Sequence, residues 1–331
     1  VAWADTGVAL AALLGQVANV GPVYLGGRHL RDQTRLRDLF ERVVPGARDR
    51  VRGWLVTRDV VEEEWWTQLR TRALERYRLR CFTALTDDDQ SEKEVQALLD
   101  SVGAKFRPAG RASLGSAHVA SAQSTGQVAY TSVGGYQCHY AEVEVAVEEL
   151  YTIPSVAQPS GVGSASAARE DYADAAKQVA DLVRLVAGAG VVYEQRPWAL
   201  DQQDLLAKFL VDSDAAEEDD PTVKTVRTWR VYRASDVEAR GLGTWTAGRA
   251  GWKVQHARSW SDSEGSYDAF QRHVDQVREK FRGIGRLGSL ANTTQVLSSP
   301  LQVRELGARR LQGVTVHFAD CELAVQEVVH A

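Results

Sequence analysis

Residues 135–149 read GYQCHYAEVEVAVEE, and residues 313–327 read GVTVHFADCELAVQE. Gly, His, Ala, Glu, Ala, Val and Glu fall in the same order at the same spacing in both. In the first, Cys138, Tyr140, Val143, Val145 and Val147 carry the apolar content of a strand. The fold turns on whether the rest of the chain repeats as well.

The rest does repeat. Val17–Phe40 lines up with Val186–Phe209, so that Tyr24 meets Tyr193, Asp32-Gln33 meet Asp201-Gln202, and Phe40 meets Phe209. VRGWLVTR at 51–58 matches VRTWRVYR at 226–233, placing Trp54 on Trp229. A helix ending KFR at 105–107 matches one ending KFR at 280–282, and Leu114-Gly115-Ser116 matches Leu287-Gly288-Ser289. The offset drifts only between 169 and 178, as a tandem duplication requires. The larger insertion in the second half is the acidic loop Asp212–Asp220.

Each half reads helix, short extended piece, strand, strand, capped helix, loop with edge strands, closing strand. The spacing predicts a helix over 6–19 with Thr6 as N-cap, an extended piece at Val23–Leu25, and a short helix or covering loop over 28–40. Strands are expected at Val51–Arg58 and Arg78–Leu85, with Glu62–Tyr77 either a helix or a long arm between them. Ser91 and Glu94 form a capping box after Asp87–Asp89, which read as a solvated cap suited to the helix dipole. The apolar stripe Val95, Leu98, Leu99, Val102 and Phe106 follows, matched later by Phe270, Val274, Val277 and Phe281. Residues 107–134 are rich in Gly, Ser, Ala and Thr. They read as a loop or hairpin with weak strands at His118–Ala120 and Gln127–Thr131, whose deletion is expected to spare the fold and abolish assembly. Residues 152–169 form a linker by composition, spanning about 60 Å when stretched and about 20–25 Å as a coil. The expected fold class is α+β: two tandem modules, 1–151 and 170–331, each a mainly antiparallel sheet packed by helices.

Composition narrows the functional classes. A chain of 331 residues, 44% hydrophobic and 25% charged, has the make-up of an ordinary globular protein. A net charge of -5 argues against coating nucleic acid. Cys81, Cys138 and Cys321 stand alone and read as small buried hydrophobes. The apolar start contains Asp5 and Gln16 and lacks a basic segment, so it reads as neither signal peptide nor membrane span, for which about 20 apolar residues are needed. No phosphate loop or nucleophile elbow is present; Gly26-Gly27, the Gly241 and Gly243 pair, and the Gly283 and Gly285 pair fit neither pattern. His139 and His317 have no visible catalytic or metal-binding company, and each is expected at a sheet–helix contact. No catalytic, cofactor-binding or metal residue is assigned. Trp54 and Trp229 read as core. Trp65, Trp66 and Trp245, in the arm between strands, are candidate interface anchors, joined by Gln123, Gln127 and Gln302.

The first half carries a series: VRGWLVTR, RYRLRCFTAL, DDDQSEKEVQALLDSV and GGYQCHYAEVEVAVEE. This series resembles a family of small tailed-phage proteins, the tail terminator or neck proteins of the lambda-type terminator fold. The resemblance covers most of 17–150 and reaches 186–328 through the repeat, where the cap becomes DSEGSYDA and CHYAE becomes VHFAD. It implies a structural virion protein: a ring that stops tube growth and joins the tail tube protein to the head–tail connector, with genomic DNA passing through the lumen without specific binding. Two modules per chain imply a homo-oligomeric ring, first a trimer with pseudo-sixfold symmetry, second a hexamer. Another ring-forming tail-tube or head-completion subunit is the alternative, and an enzyme with a cryptic site a third reading. No membrane partner is expected.

Overall fold

The computed structural model describes residues 3–26, 40–42, 50–67, 70–85, 90–106, 113–114, 116–124, 128–133, 135–152, 172–194, 207–212, 224–239, 245–260, 264–282, 286–290, 293–297, 300–311 and 314–330. Of the linker expected at 152–169, Thr152 ends a strand and the rest lies outside the described residues, as do the segment 28–39, Asp87–Asp89, the acidic loop beyond Asp212, Gln127 and the glycines at 27, 241, 243, 283 and 285. Strands dominate a mixed α/β structure with mainly antiparallel sheet. The chain forms two compact units. The first holds 1–60, 74–150 and 261–268; the second holds 61–73, 151–260 and 269–331. Each unit thus takes in a segment from across the 152–169 boundary.

In the first unit, α1 (Trp3–Gly15) leads by a turn to β1 (Val23–Leu25), which runs parallel to β3 (Arg50–Thr67), Val23 beside Trp54. β2 (Glu41–Arg42) pairs antiparallel with β3. The sheet continues from β3 to β4 (Arg70–Ala84), β8 (Tyr136–Thr152), β6 (Ala117–Ser124) and β5 (Ser113–Leu114). β7 (Ala129–Val133) pairs with the start of β8. Alternation along β8 sends Ala141, Val143, Val145 and Val147 to one face, where they meet Leu10 and Leu14 of α1. The same core takes Val95, Leu98, Leu99, Val102 and Phe106 of α2 (Gln90–Phe106). Burying each such side chain contributes about 1.5–3 kcal/mol before entropy is counted. Phe40, Leu55, Phe82 and Cys138 form a separate cluster. Tyr267 belongs to this unit: its ring lies against Gly26, and its hydroxyl oxygen accepts the Arg58 N–H at 3.3 Å.

In the second unit, α3 (Tyr172–Arg184) leads to β9 (Val191–Tyr193), parallel to β11 (Lys224–Ala239), Val192 beside Trp229. β10 (Leu210–Asp212) lies on β11. Antiparallel pairing then runs through β12 (Trp245–Ser259), β16 (Val314–His330) and β15 (Gln302–Leu311). β13 (Arg286–Leu290) and β14 (Thr293–Leu297) form a hairpin on the far end of β16. The stripe Phe270, Val274, Val277 and Phe281 of α4 (Glu264–Arg282) is fully buried against Trp229, Val254, Cys321 and Leu323. Val61 and Ala73 sit in this core, and Val61 pairs with Val303.

Several local expectations change. Thr6 lies inside α1 and is buried, because the helix begins at Trp3. Ser91 is likewise inside α2: its hydroxyl bonds His139, while Glu94 takes Arg52 at 3.1 Å. Glu62–Tyr77 is mostly strand, the two arms of the β3–β4 hairpin. The segment 107–134 holds β5, β6 and β7, and Leu114, Ala117, Val119 and Val133 are buried. Small side chains hid these strands, and their deletion would strip β8 of its partners on the side away from β4 and remove buried core residues, so the expectation that the fold survives it does not hold.

Candidate interaction sites

The paired histidines come first, since a titratable ring on a repeated strand invites chemistry. Strand alternation places His139 on the helix-facing side of β8, where Nε2 lies 2.9 Å from the Ser91 hydroxyl of α2. His139 is therefore held at a sheet–helix contact. His317 occupies the same phase of β16, stacked on Trp260 at 4.2 Å and on Phe270 at 5.2 Å. Phe270 also stacks on His256 at 5.4 Å, and His256 on Trp229 at 4.1 Å with an 8° interplanar angle. The result is a buried column, Trp229–His256–Phe270–His317–Trp260.

Electrostatics keep the column neutral. Burial pushes His256 down to about 3, helped by His273, His317 and Arg227, against a hydrogen bond from Nδ1 to the Thr228 carbonyl at 2.9 Å. Burial also pushes His317 down to about 3, with Arg258 adding repulsion. Arg258 donates to His273 Nδ1 at 2.8 Å. Neutral imidazoles face to face with aromatic rings act here as flat packing surface. Among the described residues, no three His, Cys, Asp or Glu side chains are placed to hold a metal ion. No helix among them is long and apolar enough to cross a membrane.

The three cysteines are buried free thiols. Burial pushes Cys81 up to about 12 and Cys138 up to about 11, which keeps both protonated.

The interface candidates fall in different places. Trp65 and Trp66 lie on β3 and Trp245 opens β12 opposite His330, but their side chains are outside the described ones. Gln123 is exposed on β6, across from Glu144. Gln302 is 7% exposed and engaged within the second unit. Its Oε1 accepts the Glu63 N–H at 2.8 Å, and its Nε2 donates to the Glu63 carbonyl at 2.5 Å and to the Pro300 carbonyl at 3.0 Å. A side-chain amide thus completes one step of sheet-like pairing along the end of β3.

Around that clamp lies a polar cluster that periodicity and motif reading missed. Glu63 accepts from Arg278 and, through both oxygens, from Arg282 at 2.6–3.1 Å. The Arg282 guanidinium also sits 3.7 Å over the Tyr151 ring. Burial opposes the charge on Arg282, and the Glu63 carboxylate outweighs it, raising the group above its ordinary value. Arg278 is 1% exposed and also meets Asp275 at 2.7 Å. The sequence did carry a signal: Arg278 stands four residues past Val274, inside the apolar stripe. The first unit has its own buried pair, Arg58 with Glu75 at 3.4 Å, with Tyr77 donating to Glu75 at 2.5 Å.

In comparison with known proteins, no family model matches the chain, and no curated protein matches it.

Proposed function

We propose that the chain is a tandem duplicate of a tail-terminator-like module and works as a ring-forming structural protein of a tailed-phage virion, at the junction of tail tube and head connector. The observation that carries the reading is the resemblance of the series from VRGWLVTR to GGYQCHYAEVEVAVEE. Both matched histidines are occupied in packing, which suits structural work.

Support for the duplication comes from contacts that recur at matched residues. Tyr24 meets Phe40 edge-on at 5.7 Å, and Tyr193 meets Phe209 edge-on at 5.8 Å. Gly21 and Gly190 both adopt positive φ, 83° and 79°, and a Cβ at either would strike the carbonyl oxygen of the matched Arg52 or Arg227. Trp54 and Trp229 each lie beside the short parallel strand that follows the first helix of their unit. Two like modules per chain make a trimer the simplest ring of sixfold appearance, with a hexamer next.

Electron microscopy of the purified protein tests the reading. A closed ring with six repeated densities is expected. A protein that stays a monomer across micromolar to millimolar concentration refutes it.

A further inference from the structure

Counted back from the paired histidines, β7 and the end of β15 hold the same place in their units: Tyr130 faces His139, and Ala308 faces His317. Among the described residues β7 pairs with β8 alone, and beyond Val303 β15 pairs with β16 alone. Both are edge strands, and they differ in charge. Thr131 and Ser132 stand where the second unit has Arg309 and Arg310. From Ala112 to Ala141 no Asp, Glu, Lys or Arg occurs, in a chain that is 25% charged. The matching stretch 290–319 carries Arg304, Glu305, Arg309 and Arg310. Charged side chains on an edge keep it from pairing with a further strand. The β15 edge is guarded in this way, and the β7 edge is not.

The β7 edge also faces solvent. Ala129, Tyr130 and Ser132 are exposed, Tyr130 to 62% although its ring lies 5.4 Å from that of His139. Val133 pairs with Tyr136 across a two-residue turn, and such a closing pair exchanges both of its hydrogen bonds. Alternation then turns the N–H and C=O of Tyr130 and Ser132 away from β8. Gln137, opposite Ser132, agrees: its carbonyl accepts the Leu85 N–H at 2.8 Å, on the β4 side of β8.

We infer that β7 pairs with β7 of a second copy of this chain, antiparallel about a twofold axis at Thr131. The charges select this occupant. A twofold strand pair sets the central residue against itself, and like charges placed opposite destabilise a sheet. β7 brings no charge to that meeting, whereas the same arrangement at β15 would set Arg309 against Arg309. A charged partner strand would find no counter-charge along β7. The register fits as well. Each Tyr130 exchanges main-chain hydrogen bonds with Ser132 of the second copy, and the small serine leaves room for the exposed ring on the same face. Thr131 meets Thr131 on the other face, a favourable cross-strand pair. The recognition is strand addition, with affinity from the main chain and register from the side chains. The contact is isologous and separate from the head-to-tail joints a ring needs, so the inference does not rest on the ring-forming reading.

The test is a disulfide across the axis. In a non-hydrogen-bonded antiparallel pair the Cα atoms lie about 4.5 Å apart, within the roughly 4.4–6.8 Å that a disulfide spans. Cys138 lies opposite Thr131 in the same chain and is replaced by Val, the residue at the matched position 316. T131C/C138V, mildly oxidised as the full chain, is expected to run as a covalent dimer on a non-reducing gel. S132C/C138V is expected to stay uncrosslinked, since its two copies sit on a diagonal of about 7–8 Å. T131R installs the residue that the second unit carries at this place, and S132P removes an outward N–H. Each is expected to lower the paired species by about tenfold or more in native mass spectrometry, with the melting temperature unchanged. Equal crosslinking at 131 and 132 overturns the register and with it the inference. No crosslink, with pairing untouched by T131R and S132P, overturns the β7 joint and leaves any ring standing. Covalent dimers from a chain that never forms rings uphold the joint and refute the ring. A crosslink from T131C to a coexpressed protein in place of a second copy assigns the edge to another partner and overturns the inference.

Discussion

Acidification from pH 7 to pH 5 is expected to destabilise the second unit through its ring column, and the size of the effect follows from how completely His256 and His317 are buried. They are 0% and 1% exposed, stacked between aromatic rings, and titrate near 3 in the folded chain. Unfolded histidine titrates near 6.5. Between those values the unfolded chain binds more protons than the folded one, so stability falls as pH falls. The contribution is fully present above about pH 6.5 and declines steadily towards pH 3. From pH 7 to 5 each ring costs about 2 kcal/mol, a figure set by the unfolded value as long as the folded one stays well below 5. Two rings give about 4 kcal/mol, a large share of a typical domain's stability. His273, Arg227 and Arg258 face the rings and oppose a further positive charge. Urea unfolding followed by tryptophan fluorescence at both pH values measures the loss. Carboxylates titrate in the same range, so the decisive comparison is with His256→Phe/His317→Phe. That variant loses the Thr228 hydrogen bond, worth about 1 kcal/mol at every pH, but keeps flat rings in the stack. It should lose about 4 kcal/mol less than wild type between pH 7 and 5. Equal losses in the two proteins would falsify the neutral, buried column.

Three further outcomes are expected. Glu63→Ala leaves the Arg278 and Arg282 guanidinium groups facing each other in a dry site and should cost about 3–5 kcal/mol in chemical denaturation; a double Glu63→Leu/Arg278→Met variant should recover part of that, and a neutral single variant would discount the cluster. Gly190→Ala places a Cβ 2.2 Å from the Arg227 carbonyl at positive φ and should cost more than the 1–2 kcal/mol or so of backbone strain alone, read as a lower melting temperature. Deleting 113–133 removes β5, β6 and β7 and should unfold the first unit, seen as loss of dispersed amide resonances; a fully folded deletion variant contradicts the role given to those strands.

What the sequence made legible was local and periodic. The two-residue alternation of β8 and β16 and the stripes of α2 and α4 were readable because each carries its period over many residues. Strand β3 beyond Arg58 was not, because EEEWW has no alternation and its charges suggest solvent. In the structure Glu63 is neutralised by two arginines that lie 215 and 219 residues away, a pairing no window can see. β6 was faint for the opposite reason: Ala, Ser and Gln give it little contrast between faces. The column of five rings was equally hidden, since Trp229, His256, Phe270, His317 and Trp260 come from separate elements.

The assignment of residues 261–268 to the first unit carries a consequence for how the protein is made. A ribosome releases the chain from its N-terminus, so residues 1–150 emerge long before Tyr267 is translated. Until then the nascent first unit lacks the ring that lies against Gly26 and the hydroxyl that takes the Arg58 amide. Meanwhile Val61, Glu63 and Ala73 wait for a core and for arginines not yet synthesised. Neither half is finished while the other is missing, so the last steps of folding fall after translation has passed both crossing segments. Cutting the chain within 152–169 would leave each fragment with an unfilled gap and an orphaned piece of its neighbour.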